Sequence, residues 1–391
     1  MRALTGAVVS LCLAGCCYYA PRATVKPLPT PAPAASVEPL VRVRLTAASP
    51  VVLSSSQGLT LGVGASLLSA APNQSVQVAC NEGHVLATGG TTPVMTAETL
   101  TVAPAAAGLL RVGDRSYRGR LLLYRSVDGD LAVVNVLGLE DYLLGVVPCE
   151  IGPINPRTLE AAKAQAAAAR SFTMYRLGRR QGLGHDLFDS YLRDQEYRGI
   201  ENETDLSREA VTETRGEVIE FRGEVCEALY SANCGGVTAD GSQPYLRSVP
   251  DTPEHRRGCK AYCSGKPNSS WQVDIARESL DAVASRSSGK QSHVRSGRLE
   301  TDRSGRVQYV DLVTDRGSLR LAGSDFRVAM GLKSVSFTMT FHSRSVAMAG
   351  RGWGHGSGMC QDGAIAMAEA GASYREILQQ YYSGVTLKRR Y

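Results

Sequence analysis

Aromatic residues are scarce in this 391-residue chain, at 6% of the total, and only two are Trp. Concentrated positive charge is scarce as well: the formal net charge is +6, and basic residues are scattered in pairs such as Arg179-Arg180 and Arg256-Arg257. A nucleic-acid-binding surface normally shows a basic stripe with aromatics between the charges, so nucleic acid is not an expected partner. After the N-terminal segment no run of about 18 apolar residues occurs, which excludes an ordinary spanning helix. The glycine-rich segments lack a Gly-Lys-Ser/Thr ending, which excludes a phosphate-binding P-loop. What the chain does have in quantity is glycine, 40 residues, and cysteine, 10 residues. That composition suits a loop-rich protein of an oxidising, extracytoplasmic compartment.

Arg2 precedes a short apolar run ending in Leu13-Ala14-Gly15-Cys16, with the charge, length and small residues of a secretory signal. The cleavage sequence resembles a bacterial lipobox. Residues 1–15 are therefore expected to be a lipoprotein signal peptide, with Cys16 the lipidated first residue of the mature protein and the lipid its membrane anchor. Position 17 is Cys rather than Asp, which by the same resemblance implies sorting to the outer membrane, facing the periplasm, in a Gram-negative cell. Residues 16–39, with Pro27, Pro29, Pro31 and Pro33 among Ala, Thr and Ser, cannot build a packed core and read as a semi-rigid tether.

Residues 40–117 alternate apolar and polar side chains in short pieces, Val41-Arg42-Val43-Arg44-Leu45 among them, and predict a small β-rich subdomain. Residues 118–387 predict a mixed α+β domain, so the fold class is α+β. Stretches 118–124 and 131–136 read as a hairpin closed by Asp128-Gly129. Asn155 predicts an N-cap and Pro156 the first turn of an alanine-dense helix over 159–175. Stretches 216–221 and 306–313 read as strands and 363–370 as a helix. Ser373 with Glu376 makes a capping box for a last helix through Tyr382, stopped at Gly384.

Four motifs stand out. The run from Val134 to Glu150 carries a carboxylate off a strand-like apolar segment into a turn and a helix, and that helix holds the run Glu160-Ala-Ala-Lys163-Ala-Gln165 on to Arg170. Ala228 to Thr238, containing Tyr230, Ser231 and Cys234-Gly235-Gly236, ends a strand in a Gly-Gly turn, and Tyr245 follows in Pro244-Tyr245-Leu246-Arg247-Ser248-Val249. The chain closes on Gly350-Arg351-Gly352-Trp353-Gly354-His355-Gly356-Ser357-Gly358-Met359-Cys360-Gln361. In this order the motifs resemble the SpoIID/LytB family, the stage II sporulation protein D type of peptidoglycan lytic transglycosylase and its amidase-enhancer relatives, over about residues 118–387.

The resemblance implies a specific chemistry. Glycoside cleavage usually needs two carboxylates, but a lytic transglycosylase uses the C6 hydroxyl of muramic acid as nucleophile and closes a 1,6-anhydro ring, so one carboxylate serves as base and then as acid. Glu150 matches the family's catalytic glutamate; taken alone it would read as a charge capping the next helix. Glu140 and Asp141 are expected to hold the turn, and Gln165 to pack. Lys163 and Arg170, seven residues apart on one helical face kept low by Ala166, Ala167 and Ala169, are expected to reach outward to the lactyl carboxylate exposed on peptide-stripped glycan. Tyr230, Ser231, Tyr245, Trp353, His355 and Gln361 are the further expected substrate-binding residues, with Trp353 stacking on a pyranose and His355 a lining residue rather than an acid or base. The family often has His where Tyr230 stands and Ser or Thr where Cys234 stands.

With Cys12 and Cys16 set aside, eight cysteines remain, an even count that favours disulfides without choosing among the pairings. Cys234, His255, Cys259 and Cys263 have the donor types of a Cys₃His zinc site, but a disulfide from Cys234 to Cys259 or Cys263 explains the same residues more simply, and no cofactor is expected. The leading expectation is a lipid-anchored lytic transglycosylase cutting MurNAc–GlcNAc bonds. The alternative is a non-catalytic glycan-binding activator of a cell-wall amidase. A hydrolase using Cys149 or Cys360 with His355 ranks third.

Overall fold

The computed structural model describes residues 37–64, 66–89, 93–255 and 258–391. The expected signal peptide, Cys16 and all but the end of the tether lie outside the described residues. No helix among those described is long and apolar enough to cross a membrane.

The class is α+β with a β-rich N-terminal region. Alternation decides its inward face: in Leu40–Leu45, Val41, Val43 and Leu45 are buried while Arg42 and Arg44 are only half-covered. This strand pairs antiparallel over its whole length with Leu131–Gly138, which pairs on its other edge with Arg120–Arg125, the predicted hairpin partner. Strands from both sides of position 117 thus share one seven-stranded sheet, beside a six-stranded sheet built wholly from the N-terminal region. Alternation reports which side of a strand is buried but not which strand lies next to it.

Helix α1 (Leu139–Ile151) leaves the strand Leu131–Gly138 without a loop. The strand-like reading of 134–150 therefore holds only as far as Gly138, because both the strand and the helix are covered on nearly all sides and a continuous apolar run has no period to separate them. Helix α2 (Leu159–Arg176) starts three residues later than Asn155 suggested, with Thr158 as N-cap; Asn155 instead makes the preceding turn, accepting Arg157 N–H at 2.9 Å on its side chain. The remaining helices are α3 (Asp205–Glu213), α4 (Arg277–Ser288), α5 (Gly323–Ala329), α6 (Gln361–Glu369) and α7 (Tyr374–Tyr381). The Ser373–Glu376 capping box opens α7 as predicted.

Helix α2 is the hub. It packs against α1, α3, α6, α7 and the strand Glu217–Phe221, and its alanines from Ala161 to Ala169 are all fully buried. Small side chains let neighbours close in on every side, as expected for a helix apolar all round. The low alanine face therefore receives other elements rather than clearing a path for long cations, and this corrects the expected roles of two residues. Arg170 is fully buried, its Nε and Nη2 gripping both oxygens of Glu140 at 2.8 and 2.7 Å while Nη1 donates to the Glu217 carbonyl at 3.1 Å. Lys163 ion-pairs with Glu160 and Glu213 at 2.8 and 2.7 Å. Burial pushes the Glu140 carboxyl up, but Arg170, the Tyr391 hydroxyl and the Gly216 N–H more than offset it and hold the group below its ordinary value.

Residues 270–351 form a unit that the sequence did not announce. Two three-stranded sheets with α4 and α5 enclose a core of their own, centred on Trp271, Val310, Phe326, Phe337 and Met348.

Arg170→Ala leaves Glu140 buried and unpaired. It is expected to lower unfolding stability by about 3–5 kcal/mol in urea titrations, and a loss under about 1 kcal/mol would mean the pair does not hold α2 to α1.

Candidate active site

Close backbone approach sets the site. A Cβ on Gly145 would lie 2.3 Å from the Gly199 carbonyl and 2.7 Å from the Tyr197 ring, so this glycine lets the loop around 195–199 lie directly on α1. The loop then brings Glu196 N–H to Glu150 Oε1 at 2.7 Å. Gln361, the first residue of α6, reaches Glu150 Oε2 at 3.4 Å with its amide nitrogen, which also reaches Gln165 Oε1 on α2 at 3.3 Å. Three helices thus converge on one carboxylate.

Glu150 lies in the last turn of α1 rather than before the next helix, so it does not cap α2. At the carbonyl end of a helix the macrodipole disfavours negative charge. Burial pushes the Glu150 carboxyl up to about 7, against hydrogen bonds from Glu196 N–H, Gln361 and Tyr230, and the charge of Glu196 adds to the rise. Among the described residues no cationic side chain pairs with Glu150. Its neighbours differ: Asp194 is bound by Arg180 at 2.6 Å and Glu196 by Arg198 at 2.8 Å.

Glu150 opens onto a groove of about 1120 Å³. The walls carry exposed apolar side chains, Tyr191 and Leu192 on one loop, Val328 on α5 and Trp353. The glycine-rich loop reaches the groove because Gly352, Gly354, Gly356 and Gly358 all adopt positive φ. At Gly358 a Cβ would lie 1.9 Å from the Leu229 carbonyl. This seats Met359–Cys360 parallel to Tyr230–Ser231.

Of the expected site residues, Glu150, Tyr230, Ser231, Trp353, His355 and Gln361 therefore line one groove. The Tyr230 hydroxyl accepts from Gln195 at 2.8 Å. Ser231 Oγ is buried and has no hydrogen-bond partner among the described residues. Lys333 sits over the Trp353 ring, 4.6 Å from its centroid. His355 Nδ1 accepts from Ser357 N–H at 3.1 Å, which puts its proton on Nε2, donated to the Tyr230 carbonyl at 2.9 Å. Both ring nitrogens of His355 are thus engaged by backbone groups.

Lys163, Arg170 and Tyr245 do not line the groove. Tyr245 is a buried tyrosine whose hydroxyl accepts from Glu227 N–H at 2.7 Å and whose ring tilts on Phe221. Cys149 borders the groove, but burial raises its thiol pKa, and His355 is committed to the backbone, so no cysteine–histidine pair forms. Tyr191, Leu192, Asp194 and Glu196 also line the groove, and none of them belongs to a motif of the sequence. Their only local signal was a dense mixture of aromatic, acidic and basic residues from Tyr191 to Arg198 without period.

The cysteines also group differently from the expected set. Cys234 and Cys263 face each other with sulfurs 3.7 Å apart, as thiols rather than a disulfide, and the groups beside them are Cys360 and Asp251. His255 turns instead to the Pro250 carbonyl and Gln380.

The SpoIID model, described as stage II sporulation protein, matches residues 127–221, a span that includes Glu150 and all of α2. An uncharacterized protein of Brachyspira hyodysenteriae is 32% identical over 276 residues, covering 68% of this chain and 71% of that protein. The amidase enhancer of Bacillus subtilis is 31% identical over 292 residues, covering 63% of this chain but 40% of the enhancer. Stage II sporulation protein D of the same organism is 26% identical over 313 residues, covering 74% of this chain and 81% of that protein.

A carboxyl whose folded pKa is raised favours folding while it stays protonated. The contribution is full below the unfolded value near 4.3 and is lost as pH rises through about 7. Glu150→Gln should therefore match wild type in stability near pH 4 and exceed it above pH 7, by on the order of 3 kcal/mol. Parallel urea melts across that range test this, and equal curves at pH 8 would refute the raised value.

Proposed function

This chain belongs to the SpoIID/LytB family, and from that premise we propose that it is a peptidoglycan lytic transglycosylase with Glu150 as its general acid and base. Family membership supports a role at the cell wall. The feature that carries the finer reading is Glu150 itself, a groove carboxyl that has no cationic partner among the described residues and that burial pushes up to about 7. A group poised there exchanges its proton readily in either direction at neutral pH.

In this reading Glu150 acts first as acid and then as base, the reverse of the order expected from the sequence: it protonates the glycosidic oxygen as the C1–O bond of a muramic acid breaks. It then accepts the proton of that sugar's C6 hydroxyl, whose oxygen closes on C1 to give the 1,6-anhydro product and a free 4-hydroxyl on the departing sugar. Gln361 and Glu196 N–H fix the two carboxylate oxygens so that the group enters the reaction already oriented. Tyr191, Leu192 and Trp353 offer apolar faces to sugar rings. Arg327 and Arg198 are the arginines lining the groove, and they replace Lys163 and Arg170 as the partners for a lactyl carboxylate. The expected extracytoplasmic, lipid-anchored placement through Cys16 belongs to this proposal.

The amidase-enhancer relative favours a second reading, a glycan-binding activator that needs no acid at position 150. Mass spectrometry of peptide-stripped glycan separates the two. The wild type should release fragments with 1,6-anhydro ends, and Glu150→Gln should lose about 10²–10⁴ of that rate. Absence of product from the wild type, together with stimulation of a cell-wall amidase, would favour the activator; near-normal turnover in Glu150→Gln would remove Glu150 from the chemistry.

Arg327→Ala should raise KM about tenfold or more on peptide-stripped glycan if a charge-assisted hydrogen bond is lost. It should also flatten the salt dependence of binding. Unchanged KM and salt response would leave Arg327 without a substrate role.

A further inference from the structure

We propose that Cys234, Asp251, Cys263 and Cys360 bind one zinc-type divalent ion, which clamps the wall of the groove behind Gln361. The proposal does not depend on the reaction assigned above. The four donor atoms lie within 4.8 Å of one another, and all four residues are buried. They come from three separate places in the chain: the Gly-Gly turn after Tyr230–Ser231, the loop from Asp251 to Cys263, and the N-cap of α6. Three thiols and one carboxylate from such distant positions thus place four metal-ligating atoms in one buried spot.

The spacing discriminates between the two chemistries open to these thiols. A disulfide needs its sulfurs at about 2.05 Å. A tetrahedral ion with Zn–S bonds of about 2.3 Å sets neighbouring sulfurs about 3.8 Å apart, and Cys234 and Cys263 stand at 3.7 Å. A disulfide would also use two of the four donors and strand Cys360 and Asp251 against it. Three soft thiolates with one carboxylate suit zinc and not magnesium or calcium.

The surroundings hold the donors in place. The Cys234 N–H donates to Cys360 Sγ at 3.2 Å, a bond that favours the thiolate. Asp251 Oδ1 accepts from the Tyr381 hydroxyl at 2.7 Å and Oδ2 from Cys263 N–H at 2.9 Å, so the carboxylate is oriented while each oxygen keeps a lone pair for an ion. The nearby cation, Arg306, donates to the carbonyls of Cys234 and Val237 and not to the sulfurs. Asn233, next to Cys234, ties the same segments from outside through the Cys263 carbonyl and Asp362. Since Cys360 directly precedes Gln361, an ion here fixes the start of α6 and so the amide that meets Glu150.

The test is metal analysis of the full chain purified with reductant after expression with added zinc. About one zinc per chain should survive gel filtration, and exchange for Co²⁺ should give the intense visible bands and sulfur-to-cobalt charge transfer of a tetrahedral thiolate site. Cys263→Ser and Cys360→Ser should each lose most of the metal, while Cys259→Ser and His255→Ala should keep it. The wild-type cobalt spectrum stands even if a variant fails to fold. Wild-type protein without stoichiometric zinc and without a cobalt–thiolate spectrum overturns the proposal, as does a Cys234–Cys263 disulfide in peptide maps of the non-reduced protein. Loss of zinc in Cys259→Ser or His255→Ala overturns the ligand set.

Discussion

The paired contact between Arg170 and Glu140 anchors the centre of this protein. It is two-pronged and fully buried, and it joins the middle of α2 to the first turn of α1. The remaining guanidinium donors and the Glu140 oxygens take up the Glu217 carbonyl, Gly216 N–H and the Tyr391 hydroxyl, so the strand Glu217–Phe221 and the last residue of the chain are fixed by the same contact. With one end of α1 held, the 13-residue helix acts as a rod of about 20 Å, and its other end presents Glu150 to the groove.

Two glutamates ten residues apart on that helix thus meet opposite surroundings. Both are partly withdrawn from water, which alone would raise both. At Glu140 a guanidinium reverses the effect. At Glu150 the hydrogen-bond donors are neutral, the negative charge of Glu196 adds to the rise, and burial prevails. Environment alone thus separates the acidities of two chemically identical side chains. The buried thiol cluster adds a third element behind the groove, since the segment that ends the cluster begins the helix bearing Gln361.

Much of the architecture could be read from local chemistry. The alanine helix, the hairpin at Asp128-Gly129, the Ser373–Glu376 capping box and the alternating strands of the N-terminal region depend on neighbouring residues, and they stand where the sequence placed them within a few positions. Glu150 and the glycine-rich loop were legible as motifs, and the structure brings them to one groove with Tyr230 and Gln361. Helical spacing put Lys163 and Arg170 on a common stripe, but spacing carries no information on whether that stripe meets solvent or another helix. Alanines between two cations are equally compatible with a clear outward face and with tight packing.

What the tertiary structure alone decided are the partners. Tyr245 was placed in the core by Phe221 and Glu227 N–H, Glu150 met Glu196 across a loop without periodicity, and Cys234 met Cys360 from the far end of the chain rather than Cys259 nearby. The sequence by itself determined the class of most elements and marked the motif that holds Glu150, because propensity, capping and motif spacing act over a few residues. Long-range packing determined which side chains lost their water and which charges found a counter-charge. Those two facts separate Glu150 from Glu140 and a groove-lining arginine from a structural one, and neither is encoded within any short stretch of chain.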